Sequence, residues 1–169
     1  DDLGVEGYEL LVEAGRAATF FGELESRGAV SLDAATAEVL RVEGGIPKFH
    51  QDMDENVIPL EAGIESRAIS FTKGCYVGQE VIVRVTHRGG GRVAKKLVRW
   101  AADDSAPIVP LAEARIEAGG KDVGRVTSAA FSPALSKVVG LGYVHRDSAD
   151  ARTELTITWN DVRLRAVVS

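Results

Sequence analysis

The stretch from Leu155 to Val168 constrains this chain more than any other. Leu155, Ile157 and Trp159 alternate with Thr156 and Thr158, and Val162, Leu164, Ala166 and Val168 answer after a two-residue break. A period of two places alternate side chains on one face of a strand, a pattern no helix reproduces. The break is Asn160-Asp161, residue types that tolerate the left-handed backbone of a tight two-residue turn. The sequence therefore predicts a hairpin with one buried face. Such a hairpin needs further strands to cover that face. Upstream, Val93 to Trp100, Ala114 to Ile116, Val123 to Ser128 and Val138 to Val144 have strand character, and a small closed or nearly closed antiparallel barrel over 93–169 accommodates them all.

Before residue 93 the pattern is mixed. Gly7 to Glu13 suits a short strand, and Ala14 to Arg27 changes to helical spacing, with Ala17, Phe20, Phe21 and Leu24 on one face and Gly28 as the stop. Ala29 to Leu32 reads as a second strand, and Asp33 is an N-cap for a helix carrying Ala37, Leu40 and Arg41 up to Gly44 and Gly45. This β-α-β-α order is an incomplete layered unit, so partner strands from elsewhere in a longer chain or from another molecule are expected. The chain begins without Met and inside an element already under way, which predicts a fragment. From Ile46 to Phe71 the text is irregular: an acidic cluster of Asp52, Asp54 and Glu55 reads as a solvated loop, and Pro59 is placed to open a short helix through Ala62. Val81 to Val85 is β-branched, yet Glu80, Arg84 and Arg88 recur at helical spacing, so period alone leaves strand and helix both open.

Composition narrows the class. Apolar residues make up 45% and charged residues 27% of 169 residues, which excludes a disordered chain and fits a folded core. No apolar run reaches the ~20 residues that span a bilayer, and no targeting segment precedes the first apolar stretch, so a cytoplasmic location without membrane association is expected. Net charge is −5, acidic residues dominating up to Val93 and basic ones slightly outnumbering them after it; this argues against nucleic acid as a partner. The single cysteine, Cys75, allows no internal disulfide and too few sulfur ligands for a structural zinc or a complete cluster site. His50, His87 and His145 are scattered without metal-ligand spacing, and Gly89-Gly90-Gly91 lacks the Lys-Ser/Thr of a phosphate loop and reads as a hinge.

Chemistry concentrates in Lys73-Gly74-Cys75-Tyr76-Val77-Gly78-Gln79-Glu80. A thiol acts as nucleophile or metal ligand when ionised, and a nearby ammonium or a helix start near Gly78 would favour that form. The alternative is a small buried hydrophobe under a glycine-rich turn. Tyr76, Gln79 and Glu80 could complete a ligand loop or simply pack and cap the following helix. Arg84 and Arg88 could meet anionic groups or belong to a solvated face.

KGCYVGQE, followed by Arg84 and by HRGG at 87–90, resembles the signature of YgfZ-type folate-binding proteins, relatives of the glycine-cleavage T-protein. GYEL at 7–10, LRVEGGIP at 40–47, DMDENVIPLEAG at 52–63 and GRVTSAAFSPALSKVVGLGYV at 124–144 agree in order, so the resemblance covers nearly the whole chain. It implies an α+β fold: an incomplete ferredoxin-like α/β portion over 1–92, holding part of the folate site and the cysteine loop, followed by a C-terminal T-protein-like antiparallel β-barrel over 93–169. The family surrounds a central folate pocket with three domains, and the N-terminal portion is expected to be required. It also implies tetrahydrofolate or another reduced folate as cofactor, with Arg41 toward the folate tail and Glu9, Tyr76, Gln79 and Arg84 also binding, and Cys75 as the reacting thiol. T-proteins carry a Gly-Glu-Asp-Gly turn where this chain has Gly4-Val5-Glu6-Gly7. Val5 replaces the carboxylate that would meet the pterin, which favours the YgfZ branch. The implied function is a folate-binding accessory protein for iron–sulfur cluster assembly or repair, with iron–sulfur client or assembly proteins as partners. The alternatives are a tetrahydrofolate-dependent aminomethyltransferase or other one-carbon transferase, and a non-catalytic scaffold with an inert Cys75.

Overall fold

A computed structural model describes residues 6–88, 90–103 and 108–169. Its organising feature is a closed antiparallel barrel of six strands: β1 (Lys95–Ala102), β2 (Arg115–Ala118), β3 (Lys121–Ser132), β4 (Lys137–His145), β5 (Glu154–Trp159) and β6 (Val162–Val168), in the order β1-β4-β3-β2-β5-β6. The β5–β6 hairpin pairs in the register its alternation predicts, with Ile157 opposite Leu164 and Trp159 opposite Val162. Asn160 and Asp161 both take positive φ, 42° and 64°, the geometry that keeps a two-residue turn in step with strand twist.

Closure buries Trp100, Ile116, Val126, Val138 and Ile157 completely, with Val98, Val144, Leu155, Leu164 and Val168 around them. Burying a side chain of this kind contributes about 2 kcal/mol, and β1 pairs with β6 through Trp100, Ala101 and Ala102, which closes the sheet on itself. Glycine makes the tight wall possible: a Cβ on Gly140 of β4 would lie 2.2 Å from the Trp100 ring and 2.5 Å from the Ser128 carbonyl oxygen.

The region before the barrel is helical with irregular connections. α1 (Ala17–Ser26) and α2 (Ala34–Glu43) form where the sequence places them, and Asp33 caps α2, its Oδ1 accepting from the Thr36 N–H at 2.7 Å. α3 (Glu65–Ala68) lies beyond the helix expected after Pro59, and α4 (Gln79–Val83) decides the ambiguous β-branched run in favour of helix, continuing into a wider turn over Arg84–Arg88. The strands expected at Gly7 to Glu13 and Ala29 to Leu32 do not form. Both segments carry no regular structure and are exposed, and a strand without a neighbour to pair with has nothing to satisfy its backbone groups but water. The region's anchor is α2, which packs on β3 and β4 and buries Val42. Two backbone-directed bonds reinforce the seam, Leu97 N–H to the Glu61 carbonyl at 2.7 Å and Arg99 Nη1 to the Glu43 carbonyl at 2.8 Å. Among the described residues no helix is long and apolar enough to cross a membrane.

Candidate functional site

The cysteine loop is held open by local bonds. Gly78 takes φ 86°, a left-handed conformation that glycine adopts without strain, and this turns the chain into α4 at Gln79. The Gln79 Oε1 accepts from the Tyr76 N–H at 3.1 Å, which ties the first residue of α4 back to the loop that precedes it. Lys73 Nζ lies 4.8 Å from the centre of the Tyr76 ring, a cation–aromatic contact that keeps the ammonium beside the loop. Between them Cys75 is a free, exposed thiol, not the buried hydrophobe of the alternative reading. Val77 is also fully exposed. Arg84 lies further along, lining a shallow cleft of about 420 Å³ with Glu80, Val81, Val83 and His87.

Arg41 occupies a different environment. On the last turn of α2 it is 5% exposed, and protein acceptors take all its donors. Nε and Nη2 meet the Glu38 carboxylate. Nη1 donates to the Ile46 carbonyl at 2.6 Å and to Asp52 Oδ2 at 2.6 Å, and Nη2 reaches Ser128 Oγ at 2.9 Å. Burial works to lower the Arg41 pKa, but the hydrogen bond to Glu38 and the charges of Asp52 and Glu38 outweigh it and leave it raised. The arginine expected to reach toward a folate tail is thus engaged as a strut between α2, the following loop and β3, with no donor left over.

Asp52 is the other half of that strut, and it departs from the solvated loop read for it. It is 3% exposed and accepts from Thr127 Oγ1 at 2.5 Å, Ser128 Oγ at 2.6 Å and the Lys48 N–H at 3.0 Å besides Arg41. Asp54 and Glu55, its sequence neighbours, are exposed as expected. Gln51 completes the cluster by donating to Glu38 and Ser128. No local signal separates Asp52 from the two acids beside it; its partners lie on a strand 75 positions away.

Glu9 is exposed in the irregular segment before α1. Val5 and Gly89 lie outside the described residues. Lys73, Cys75, Tyr76 and Gln79 share one loop, and none of the three clefts described here includes Glu9, Arg41, Cys75, Tyr76 or Gln79. Among the described residues no cluster of His, Cys, Asp and Glu could hold a metal ion.

Residues 95–169 match the model of the glycine cleavage T-protein C-terminal barrel domain, the same strands that close the barrel. Over 98% of its length the chain is 32% identical to the aminomethyltransferase of Shouchella clausii, covering 45% of that protein. It is 31% identical to the aminomethyltransferase of Halothermothrix orenii, over 98% of the chain and 42% of the relative. The chain thus spans less than half the length of these curated relatives. Its fold is shared with the glycine cleavage system aminomethyltransferase T of Bartonella henselae, at a TM-score of 0.78 and 19% identity over 91% of this chain and 42% of that one.

Proposed function

We propose, from the premise that this chain is a relative of the glycine cleavage T-protein family, that it forms part of a tetrahydrofolate-dependent one-carbon transferase of the aminomethyltransferase type. The observation that carries this reading is the alignment of nearly the whole chain, helical region and barrel together, with proteins named aminomethyltransferase.

Within this reading residues 1–92 supply the ligand-facing groups and 93–169 the rigid wall behind them. The side chains fit a reduced folate in kind. The exposed carboxylate of Glu9 suits the N–H donors of a pterin, the Tyr76 ring offers a stacking face, and Lys73 and Arg84 offer positive charge to a carboxylate tail. Arg41 contributes by fixing α2 and the loop after it, because its donors are already used. When bound, tetrahydrofolate supplies the nitrogen that accepts the one-carbon unit. What the chain's own residues do is orient the ring, anchor the tail and hold the cysteine loop beside it.

A second reading is favoured by one observation, the exposure of Cys75 in its KGCYVGQE loop. In that YgfZ-type reading the protein supports iron–sulfur cluster assembly or repair, and Cys75 is the working thiol.

Calorimetric titration of tetrahydrofolate into the full-length parent protein tests both, run beside its Glu9→Ala and Cys75→Ala variants and followed by an assay of aminomethyl transfer from a glycine-cleavage carrier protein. Binding weakened by Glu9→Ala, with transfer activity, supports the transferase reading. Binding without transfer, together with loss of cellular iron–sulfur enzyme activity in Cys75→Ala, supports the second. Absence of folate binding removes both.

A further inference from the structure

Gly90, Gly91, Arg92, Val93, Lys96 and Arg146 surround an open cleft of about 470 Å³ where the chain enters the barrel. Three cations reach it from three places: the segment before β1, the start of β1, and the turn after β4. One carboxylate, Asp147, shares the lining. Lys96 stands opposite Val144 in the β1–β4 ladder, in the same alternation as the buried Val98 and Trp100. Its row faces the core along the strand and opens into the cleft at the strand's end, so a charge caps a line of apolar side chains. Val93, buried, lies beneath.

Gly90 and Gly91 take φ of 59° and 74°, and a Cβ on either would meet nothing within 4 Å. Their backbone is therefore open to close approach by a ligand rather than covered by the protein. Among the described residues Arg92 and Lys96 form no ion pair. Arg146 Nε meets Asp147 at 3.4 Å, but that carboxylate side chain is 74% exposed and also faces His145, so the pair holds the guanidinium only weakly. Gathering three cations with one weak counter-charge, on a chain of net charge −5, produces a local positive potential.

We propose that this cleft binds a doubly charged oxyanion, a phosphate group or a pair of neighbouring carboxylates. The forked donors of Arg92 and Arg146 grip it, and Lys96 adds point charge from the barrel mouth. Asp147 competes with the ligand for Arg146. The proposal stands independently of any folate reading.

The test is a 15N–1H NMR titration of the chain at low salt with inorganic phosphate and, separately, with triglutamate. Saturable, sub-millimolar shifts at the Gly90, Gly91 and Lys96 amides are expected for at least one probe. Affinity should fall about tenfold or more in Arg92→Ala/Lys96→Ala, stay unchanged in Arg115→Ala/Arg163→Ala in the groove lined by β2, β3, β5 and β6, and rise in Asp147→Asn. Response to phosphate alone identifies a phosphate group, to triglutamate alone a carboxylate pair, and to both a site that reads charge. Retained dispersion of the barrel amides in the variant spectra certifies the fold. No saturable shift with either probe, or affinity that survives the double substitution, overturns the proposal.

Discussion

At the scale of single residues, the decisive contact joins Arg41 to Asp52, both almost completely buried. Removing the guanidinium leaves a carboxylate inside the protein with hydroxyls and one amide but no counter-charge. Arg41→Ala is expected to destabilise the chain by about 3 kcal/mol, the lower end for a broken buried pair because Thr127, Ser128 and Lys48 still solvate Asp52. Arg41→Lys should recover less than half of that, since an ammonium cannot serve Glu38, Ile46, Asp52 and Ser128 at once. Urea unfolding of both variants measures it, and a loss under 1 kcal/mol for the alanine, roughly that of an exposed pair, would refute the strut. Cys75 makes the opposite prediction. Exposed and unpaired, it should react with iodoacetamide in the native chain without denaturant, and protection until unfolding would remove it from any chemistry. The sequence marks Cys75 plainly, because its motif is local. It hides Asp52, because whether an aspartate is solvated or buried depends on where β3 passes, and nothing near residue 52 records that.

At the scale of elements, legibility follows the same rule. The β5–β6 hairpin is readable because its alternation reports a face buried by immediate neighbours, and α2 is readable because Asp33 caps it within one turn. Gly7 to Glu13 and Ala29 to Leu32 have strand-like composition, but a strand exists only where another pairs with it. Two substitutions test the barrel elements. Asp161→Gly should stabilise the β5–β6 hairpin by about 0.5 kcal/mol, because glycine takes φ of 64° without the strain of a side chain. A decrease in melting temperature would show that the Asp161 side chain contributes more than its backbone costs. Gly140→Ala should cost about 2 kcal/mol or more, because the new methyl meets the Trp100 ring and the Ser128 carbonyl at distances no packing tolerates. A neutral result would mean the β3–β4 wall yields far more easily than its register implies.

For the whole molecule, the contrast between the two regions sets how it comes apart. The barrel has a continuous core, whereas Tyr8, Leu11, Phe21, Val30, Phe71 and Val77 are exposed in the region before it, and α1 buries no residue. Much of the leading region's order therefore depends on α2 and the 46–62 loop docking on β1, β3 and β4, and the polar clamp at that seam is sensitive to acid. The hydrogen bond from Arg41 holds the Glu38 carboxyl below its ordinary value of 4.5. With the folded pKa depressed, the unfolded or undocked state binds its proton first. The stabilisation is then complete above pH 4.5 and is lost as pH falls through the folded value. Protonation weakens Glu38's grip on Arg41 and Gln51, while the barrel's apolar core carries no such dependence. Hydrogen exchange followed from neutral to acid pH should show α2 and the Lys48–Asp52 loop losing protection before the β3 and β4 amides, a local opening rather than global unfolding. Glu38→Gln should remove most of that pH dependence while lowering docking stability at neutral pH. If α2 and β4 lose protection together at every pH, the clamp is not what joins the two regions, and the apolar contact through Val42 must hold them as one cooperative unit.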